Sequence, residues 1–332
     1  TFHPHPDWSE QDPEQIFITL MFLLKGILND VAFTSQNKVQ SIVLSSAMHS
    51  LVPLDANGNT LGNAIIWSDN RASDIADKLK ATALGNQLYQ RTGTPIHAMS
   101  PFSKISWLCE NDQLLFKKAS KFVSIKEYLT YQLTGEFYVD YSLASATGLF
   151  NLKDFNWDSE AMKIANIDSS YLSNPVDIFN SELKIKKHIL KSLRLDKSTT
   201  LIIGSTDGCL ATLSAGSLQK DQAVMSITSS SAVRVFGEDS LVDDKGSFFN
   251  YILDKKILVS GGPSNNGGVA FEWAARSLGS NCSNKSIDDI LNSLLNDAAK
   301  VKEGAEGLLF LPYLQGERAP LWNSNARGVY FG

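Results

Sequence analysis

Leu201-Ile202-Ile203-Gly204-Ser205-Thr206-Asp207-Gly208 reads as a short buried strand running into a glycine-containing turn, and residues 209–215 read as the helix that follows. In α/β sheets, ligands gather at the carboxyl ends of strands. A carboxylate held there between two glycines can approach a substrate closely and act as general base toward a hydroxyl. Asp207 could equally belong to a capping turn before its helix. The pentapeptide alone leaves both readings open.

Two segments nearer the start follow the same logic. Residues 39–45 form a short apolar, β-branched run, read as a buried strand, and Ala47-Met48-His49-Ser50 lies at its carboxyl end. His can hydrogen-bond sugar hydroxyls and Met can pack on a carbon skeleton. Residues 51–55 and 60–67 flank Asn57-Gly58, a hairpin signal, and the hairpin ends in Trp67-Ser68-Asp69-Asn70-Arg71. Trp, Asp and Arg supply a polyol grip: a flat apolar face, an acceptor and a fork of donors. The structural alternatives are a packed His in a turn and an Asp–Arg pair beside a core Trp. Asp12, Pro13 and Gln15 mark the start of a helix running to about Asn29. Residues 72–84 read as a helix ended by Gly85-Asn86, and further helices are expected at 103–110, 126–133 and 159–165.

From Gln222 onward the pattern changes. Residues 223–228, 232–236, 249–253 and 257–259 read as strands joined by short turns, 267–278 and 287–301 as helices, and 308–311 as a last strand. The turn Thr228-Ser229-Ser230-Ser231 offers backbone N–H groups and hydroxyls that can cradle a phosphate, or is an ordinary serine-rich hairpin. Gly261-Gly262-Pro263-Ser264-Asn265-Asn266-Gly267-Gly268 leads into a helix whose N-terminus could take an anion or nucleotide, or is a flexible loop. A rigid loop after Pro312 sets Glu317 beside Arg318. Strands and helices mix in both halves, so the class is α/β, with a domain boundary expected at residues 217–221.

The composition sets limits. A chain of 332 residues, 43% hydrophobic and 20% charged, suits one or two globular domains with a sizeable core. A net charge of −5 gives nucleic acid no invitation. Cys109, Cys209 and Cys282 are far apart, fit no zinc spacing and suggest reduced thiols in a cytoplasmic protein. The apolar run 16–24 ends at Lys25 and is too short to span a bilayer. Asp7, Glu10, Asp12 and Glu14 precede it, unlike the basic start of a signal peptide. No lysine-bearing phosphate loop, dinucleotide fingerprint or Gly-x-Ser-x-Gly elbow occurs. That argues against an α/β hydrolase or oxidoreductase. The five histidines show no metal spacing.

In their order and company these segments resemble the FGGY family of carbohydrate kinases, members of the actin-like ATPase superfamily. Met48-His49 is similar to the family's sugar-binding Met-His, and Trp67 through Arg71 to its Trp-x-Asp-x-Arg segment. Asp140-Tyr141-Ser142, Ala144-Ser145 and Thr147 match its Asp-x-Ser-x-Ala-Ser-x-Thr stretch. Gly204 through Gly208 matches the segment bearing the catalytic Asp. Gly261 through Gly268 with Trp273, the stretch from Leu311 to Pro320, and Ala326-Arg327-Gly328 match its second domain. Ser45-Ser46-Ala47-Met48-His49-Ser50 and Thr94-Pro95-Ile96-His97 are most similar to its gluconate kinases.

The resemblance implies a two-domain actin-like (ribonuclease H-like) fold without its first strands and its C-terminal part. A sugar-binding unit would span 1–218 and a nucleotide-binding unit 219–332. It implies ATP and Mg²⁺, and phosphorylation of D-gluconate to 6-phosphogluconate. Asp207 would be the base. Met48, His49, Trp67, Asp69, Arg71 and Lys104 would hold the substrate, with Arg71 and Lys104 as partners of its carboxylate. Thr228, Ser229 and Ser230 would face the phosphates, and Gly261, Gly262, Asn266 and Gly267 would lie near the nucleotide. No metal ligand is assigned among the side chains. The expected partners are a small sugar or sugar acid and ATP, not nucleic acid or membrane, and a homodimer is compatible with them.

Two departures stand out. Thr228 and Ser231 replace the glycines of the family's second phosphate motif, and its opening Asp-x-Gly-Thr-Thr loop does not occur. Without that loop and the family's adenosine-binding segment, residues 1–332 alone are expected not to turn over ATP. Two rival functions remain, a ketopentose kinase and a non-catalytic sugar-binding protein on a kinase scaffold.

Overall fold

The computed structural model describes residues 1–29, 38–180, 182–216, 222–278, 286–314 and 316–332. The expected boundary at 217–221, and with it the division into 1–218 and 219–332, lies outside the described residues, as does Cys282.

Strand Thr200–Ile202 is the centre of a three-stranded sheet. It pairs parallel with Ser41–Val43 and antiparallel with Glu182–Lys184. The parallel pairing continues past the strands: Leu44 N–H donates to Ile202 O at 3.2 Å and Asp207 N–H to Ser46 O at 2.9 Å. Segments 160 residues apart in sequence therefore emerge side by side at one sheet end. Gly204 makes this approach feasible. Its φ is +64°, and a Cβ there would run into the carbonyl of Leu44, so neither the conformation nor the space admits a side chain. Beneath lies a core of Leu44, Val52, Leu54, Leu133, Ile189, Leu190 and Leu201.

The first strand differs from its expectation. It is an edge of this sheet, and Val43 is 58% exposed rather than buried. The opening helix Pro13–Leu28 starts as read: Asp12 accepts from Glu14 N and Gln15 N at 2.9 and 3.0 Å. The helix expected over 72–84 is two helices, Ser73–Lys80 and Ala83–Thr92. Thr82 caps the second by accepting from Gly85 N at 3.1 Å. Gly85 is there because a Cβ would meet the carbonyl of Leu79, not because the helix ends. The true stop is Gly93, in the left-handed conformation.

The second half is built on a four-stranded antiparallel sheet in the order Ala223–Ile227, Ser231–Gly237, Ile257–Ser264, Phe249–Asp254. The strand Phe249–Asp254 packs on the short helix Tyr141–Ser145, and Ile252 N–H donates to Ser145 Oγ at 2.9 Å. Ala146 and Cys209 of the first half share one apolar cluster with Phe236, Phe249, Tyr251 and Val259 of the second. Burying a Phe or Leu of this kind is worth about 1.5–3 kcal/mol, so the seam between the halves is itself core.

Candidate active site

A cleft of about 340 Å³ opens between the two halves. Met48, His49, Trp67 and Asp207 line it from one side, and Thr228, Ser230, Arg234, Tyr251 and Arg318 from the other.

Asp207 is the first residue of helix Asp207–Ser214. The N-cap position belongs to Thr206, so Asp207 is not the capping residue. Its Oδ1 accepts from Gly208 N at 2.7 Å. Partial burial raises its pKa, while the Gly208 N–H and the Arg234 guanidinium oppose the rise. Gly208 brings its neighbours close: a Cβ there would lie 3.1 Å from Met48 Cε and 3.2 Å from Arg234 Nη2. A buried network supports the loop. Lys126 Nζ pairs with Asp140 at 2.7 Å, Asp140 accepts from Ser142 Oγ, and Ser142 Oγ meets Ser205 Oγ at 2.8 Å and Thr206 N at 3.0 Å.

His49 has φ +66° and is buried. Its Nδ1 lies 2.9 Å from Ala146 O, which only accepts, so Nδ1 carries the proton. Nε2 must then accept from the Tyr251 hydroxyl, at 3.2 Å. Burial, reinforced by the Lys104 charge, lowers its pKa to about 3, so the ring is neutral. Trp67, 40% exposed, is a wall of the cleft and not a core residue; the Arg318 guanidinium lies 5.6 Å from its ring centre.

Three expected substrate residues are elsewhere. Asp69 is fully buried and accepts from Ser9 N at 2.7 Å. Arg71 is bound to Asp69 at 2.8 Å and to Glu10 at 2.6 Å, and lies over Trp8 at 3.7 Å. This is the structural alternative: the pair fastens the first ten residues to the hairpin. Lys104, also fully buried, donates to the carbonyls of His49, Ile66 and Ile65 at 2.5, 2.8 and 3.4 Å. Burial pulls its pKa down to about 7. It stabilises the unusual backbone of His49 and has no donor left for a substrate carboxylate.

The structure separates the expected nucleotide residues into some that line the cleft and some with structural partners. Gly261 and Gly262 are in the strand Ile257–Ser264, not in a loop. A Cβ on Gly261 would enter the carbonyl of Val233, and one on Gly262 would lie 3.0 Å from Ala319 Cβ. Asn266 clips the loop after Pro312, donating to Gly316 O and Glu317 Oε2 at 3.0 Å each and accepting from Leu314 N at 3.1 Å. The N–H groups of Gly267 and Gly268 go to Ser229 O at 3.1 Å and Thr228 O at 2.6 Å. The serine turn therefore docks its carbonyls on the start of the helix Gly268–Leu278, occupying the N–H groups an anion would need. Thr228 and Ser230 line the cleft; Ser229 is not among its lining residues.

Sequence pattern assigns no role to Tyr251, Arg234 or Arg318. Arg234 had a signal: it shares a face of its strand with the buried Ala232 and Phe236, an inward charge among apolar neighbours. Arg318 stands out in sequence only as the neighbour of Glu317 in a rigid loop. Among the described residues no group of three His, Cys, Asp or Glu is placed to hold a metal ion. No helix among them is long and apolar enough to cross a membrane.

The α/β fold and a cleft bearing a strand-end carboxylate define a class. Residues 1–214 match the N-terminal domain of the FGGY family of carbohydrate kinases, and the chain belongs to that family. It is 39% identical to the gluconokinase of Bacillus subtilis over 100% of its own length and 64% of that protein's. A crystal structure of gluconate kinase from Lactobacillus acidophilus superposes with a TM-score of 0.92 at 34% identity, over 100% of this chain and 65% of that one. A xylulose kinase of Staphylococcus xylosus is 28% identical over 100% of this chain and 67% of its own length. The chain thus spans somewhat under two thirds of the gluconokinase it resembles, and it shares the actin-like kinase fold of these neighbours.

Proposed function

We propose that the protein transfers the γ-phosphoryl group of ATP to a hydroxyl of D-gluconate, giving 6-phosphogluconate. The observation that carries this reading is the identity of 39% to a gluconokinase across the whole chain, against 28% to a xylulose kinase. The chemistry of the cleft agrees with it. Asp207 is open to the cleft, and the upward shift that partial burial gives its pKa makes its carboxylate a better base than an ordinary one. It would accept the hydroxyl proton as the oxygen attacks phosphorus. Met48 and Trp67 offer apolar walls, and the neutral His49 holds the Tyr251 hydroxyl so that its oxygen can accept from the substrate. Thr228 and Ser230 offer hydroxyls to phosphate oxygens.

Mg²⁺ fits this donor set, since it is commonly held by one or two carboxylates together with substrate phosphates, and Asp207 is the carboxylate lining the cleft. When bound, the ion would neutralise charge on the transferring phosphate. A cytoplasmic setting belongs to the same reading, supported by the free thiols of Cys109 and Cys209.

The test is steady-state kinetics of the full-length protein on gluconate, xylulose, ribulose and glycerol with ATP. Gluconate should have the highest kcat/KM. A xylulose preference would favour the ketopentose reading instead, for which the 34% identity to a ligand-bound xylulose kinase structure speaks.

A further inference from the structure

With Arg71 and Lys104 spent on structural partners, a sugar acid would need another cation. Two arginines line the cleft, Arg234 and Arg318. Among the described residues each is anchored by a single side-chain hydrogen bond: Arg234 Nη1 to Ser226 Oγ at 2.8 Å, and Arg318 Nη2 to Ser264 O at 3.1 Å. In each the Nε is buried and has no hydrogen-bond partner among the described residues. Neither is in an ion pair with a carboxylate there. Glu317, beside Arg318 in sequence, instead accepts from Ser264 Oγ at 2.7 Å, Asn265 N at 3.0 Å and the backbone N–H of Arg318 at 2.7 Å.

A buried polar group without a partner is costly to leave so, and two in one cleft call for a shared explanation. Both are guanidinium Nε–H donors, the group that forms one prong of the fork matching a planar carboxylate. Each anchor engages one terminal nitrogen of its guanidinium. Arg318 is set against Trp67, the flat face suited to a carbon chain, and Arg234 lies beside Gly208 and Met48. Both are thus next to the residues of the substrate side. The serine turn, by contrast, has its Thr228 and Ser229 carbonyls against the helix start.

We propose that Arg234 and Arg318 form the anion site of the substrate pocket and recognise the carboxylate of an acyclic sugar acid. This rests on the reading of the protein as a sugar-acid kinase and assigns the residues that make it one. The two arginines discriminate the acid from a neutral polyol of the same length, because without a carboxylate the buried Nε–H groups stay unpaired.

The test uses the full-length protein with Arg234→Met and Arg318→Met, measuring kcat/KM for D-gluconate and calorimetric binding of gluconate, D-glucitol and ATP. Charge-assisted hydrogen bonds of about 1.5–3 kcal/mol correspond to a loss of roughly 10- to 100-fold in gluconate affinity for each variant. Glucitol and ATP affinity should stay within about 3-fold, a change under 1 kcal/mol. Thermal melting reports folding; if a Met variant does not fold, Arg234→Lys or Arg318→Lys keeps the charge but not the fork, and gluconate should still weaken selectively. Loss of ATP affinity with gluconate binding intact would assign the arginines to the triphosphate and overturn the proposal. Undiminished gluconate turnover in both variants would overturn it while leaving the kinase reading standing. A wild-type protein that phosphorylates only neutral sugars would refute both.

Discussion

His49 and His97 should make the folded protein acid-sensitive in a narrow and measurable window. His97, like His49, is held in a geometry that only the neutral ring can satisfy. Its Nδ1 accepts from Met99 N at 3.2 Å, so Nε2 carries the proton and donates to Ser324 Oγ at 3.2 Å. Burial lowers both pKa values from 6.5 to about 3. In the unfolded chain each His takes up a proton near pH 6.5 that the folded state refuses. The stabilisation is therefore complete above that pH and is lost as pH falls toward 3. The slope is about 1.4 kcal/mol per pH unit per group. At pH 5 the loss is about 2 kcal/mol for each His and about 4 for both, a large share of the roughly 5–15 kcal/mol that holds a typical domain folded. Lys104, at about 7, acts above this window: its neutral form is favoured in the fold, so stability rises with pH between 7 and its ordinary 10.5. Asp207 and Glu127, both raised by burial, act in the opposite sense to the histidines at the acid end. The comparison of variants cancels both effects. Urea unfolding of the full-length protein at pH 7.5 and pH 5, followed by tryptophan fluorescence, should show His97→Gln losing about 2 kcal/mol less than wild type between the two pH values. An identical pH dependence in variant and wild type, or imidazole NMR signals titrating near pH 6 in the native state, would refute the reasoning.

Other consequences can be checked independently. Asp207→Asn should fold normally, because the nearly isosteric amide oxygen can still accept from Gly208 N, while turnover falls by roughly 10²- to 10⁴-fold; near-normal rates would remove Asp207 from the chemistry. Arg71→Met leaves Asp69 and Glu10 without their partner and should cost about 3–5 kcal/mol in chemical denaturation, with the ratio of gluconate to xylulose kcat/KM unchanged. Gly261→Ala drives a methyl into the Val233 carbonyl and should lower the melting temperature; unchanged stability with weakened ATP binding would restore Gly261 to the nucleotide site. In native thiol titration Cys209, buried and with its pKa pushed up to about 12, should stay unreactive, whereas the partly exposed Cys109 should react.

Much of the local structure was legible in the sequence because its causes are local. Asp12 and Pro13 start a helix by satisfying and removing N–H groups within one turn. The segment around Gly204 and Asp207 ends a strand and opens a helix wherever it is placed, and its order with Met48-His49 was enough to mark the family. What pattern could not decide was which polar side chains were already spoken for. A cation looks the same in sequence whether it meets a substrate or a structural partner: beside its neighbour Asp69, Arg71 is held by Glu10, and Lys104 by three backbone carbonyls, all on other segments. The glycines from 261 to 267 read as room for a nucleotide, yet the room is filled by Val233, Ala319 and the serine turn. Only tertiary packing brought Arg234, Tyr251 and Arg318 to face Asp207, because the sheet of the second half is held against the helix Tyr141–Ser145 by a core that both halves share. Sequence alone determined the elements and the residue types at their ends; burial and partner geometry, which depend on contacts between segments mostly some 30 to 60 residues apart, decided which of those types stayed free to act.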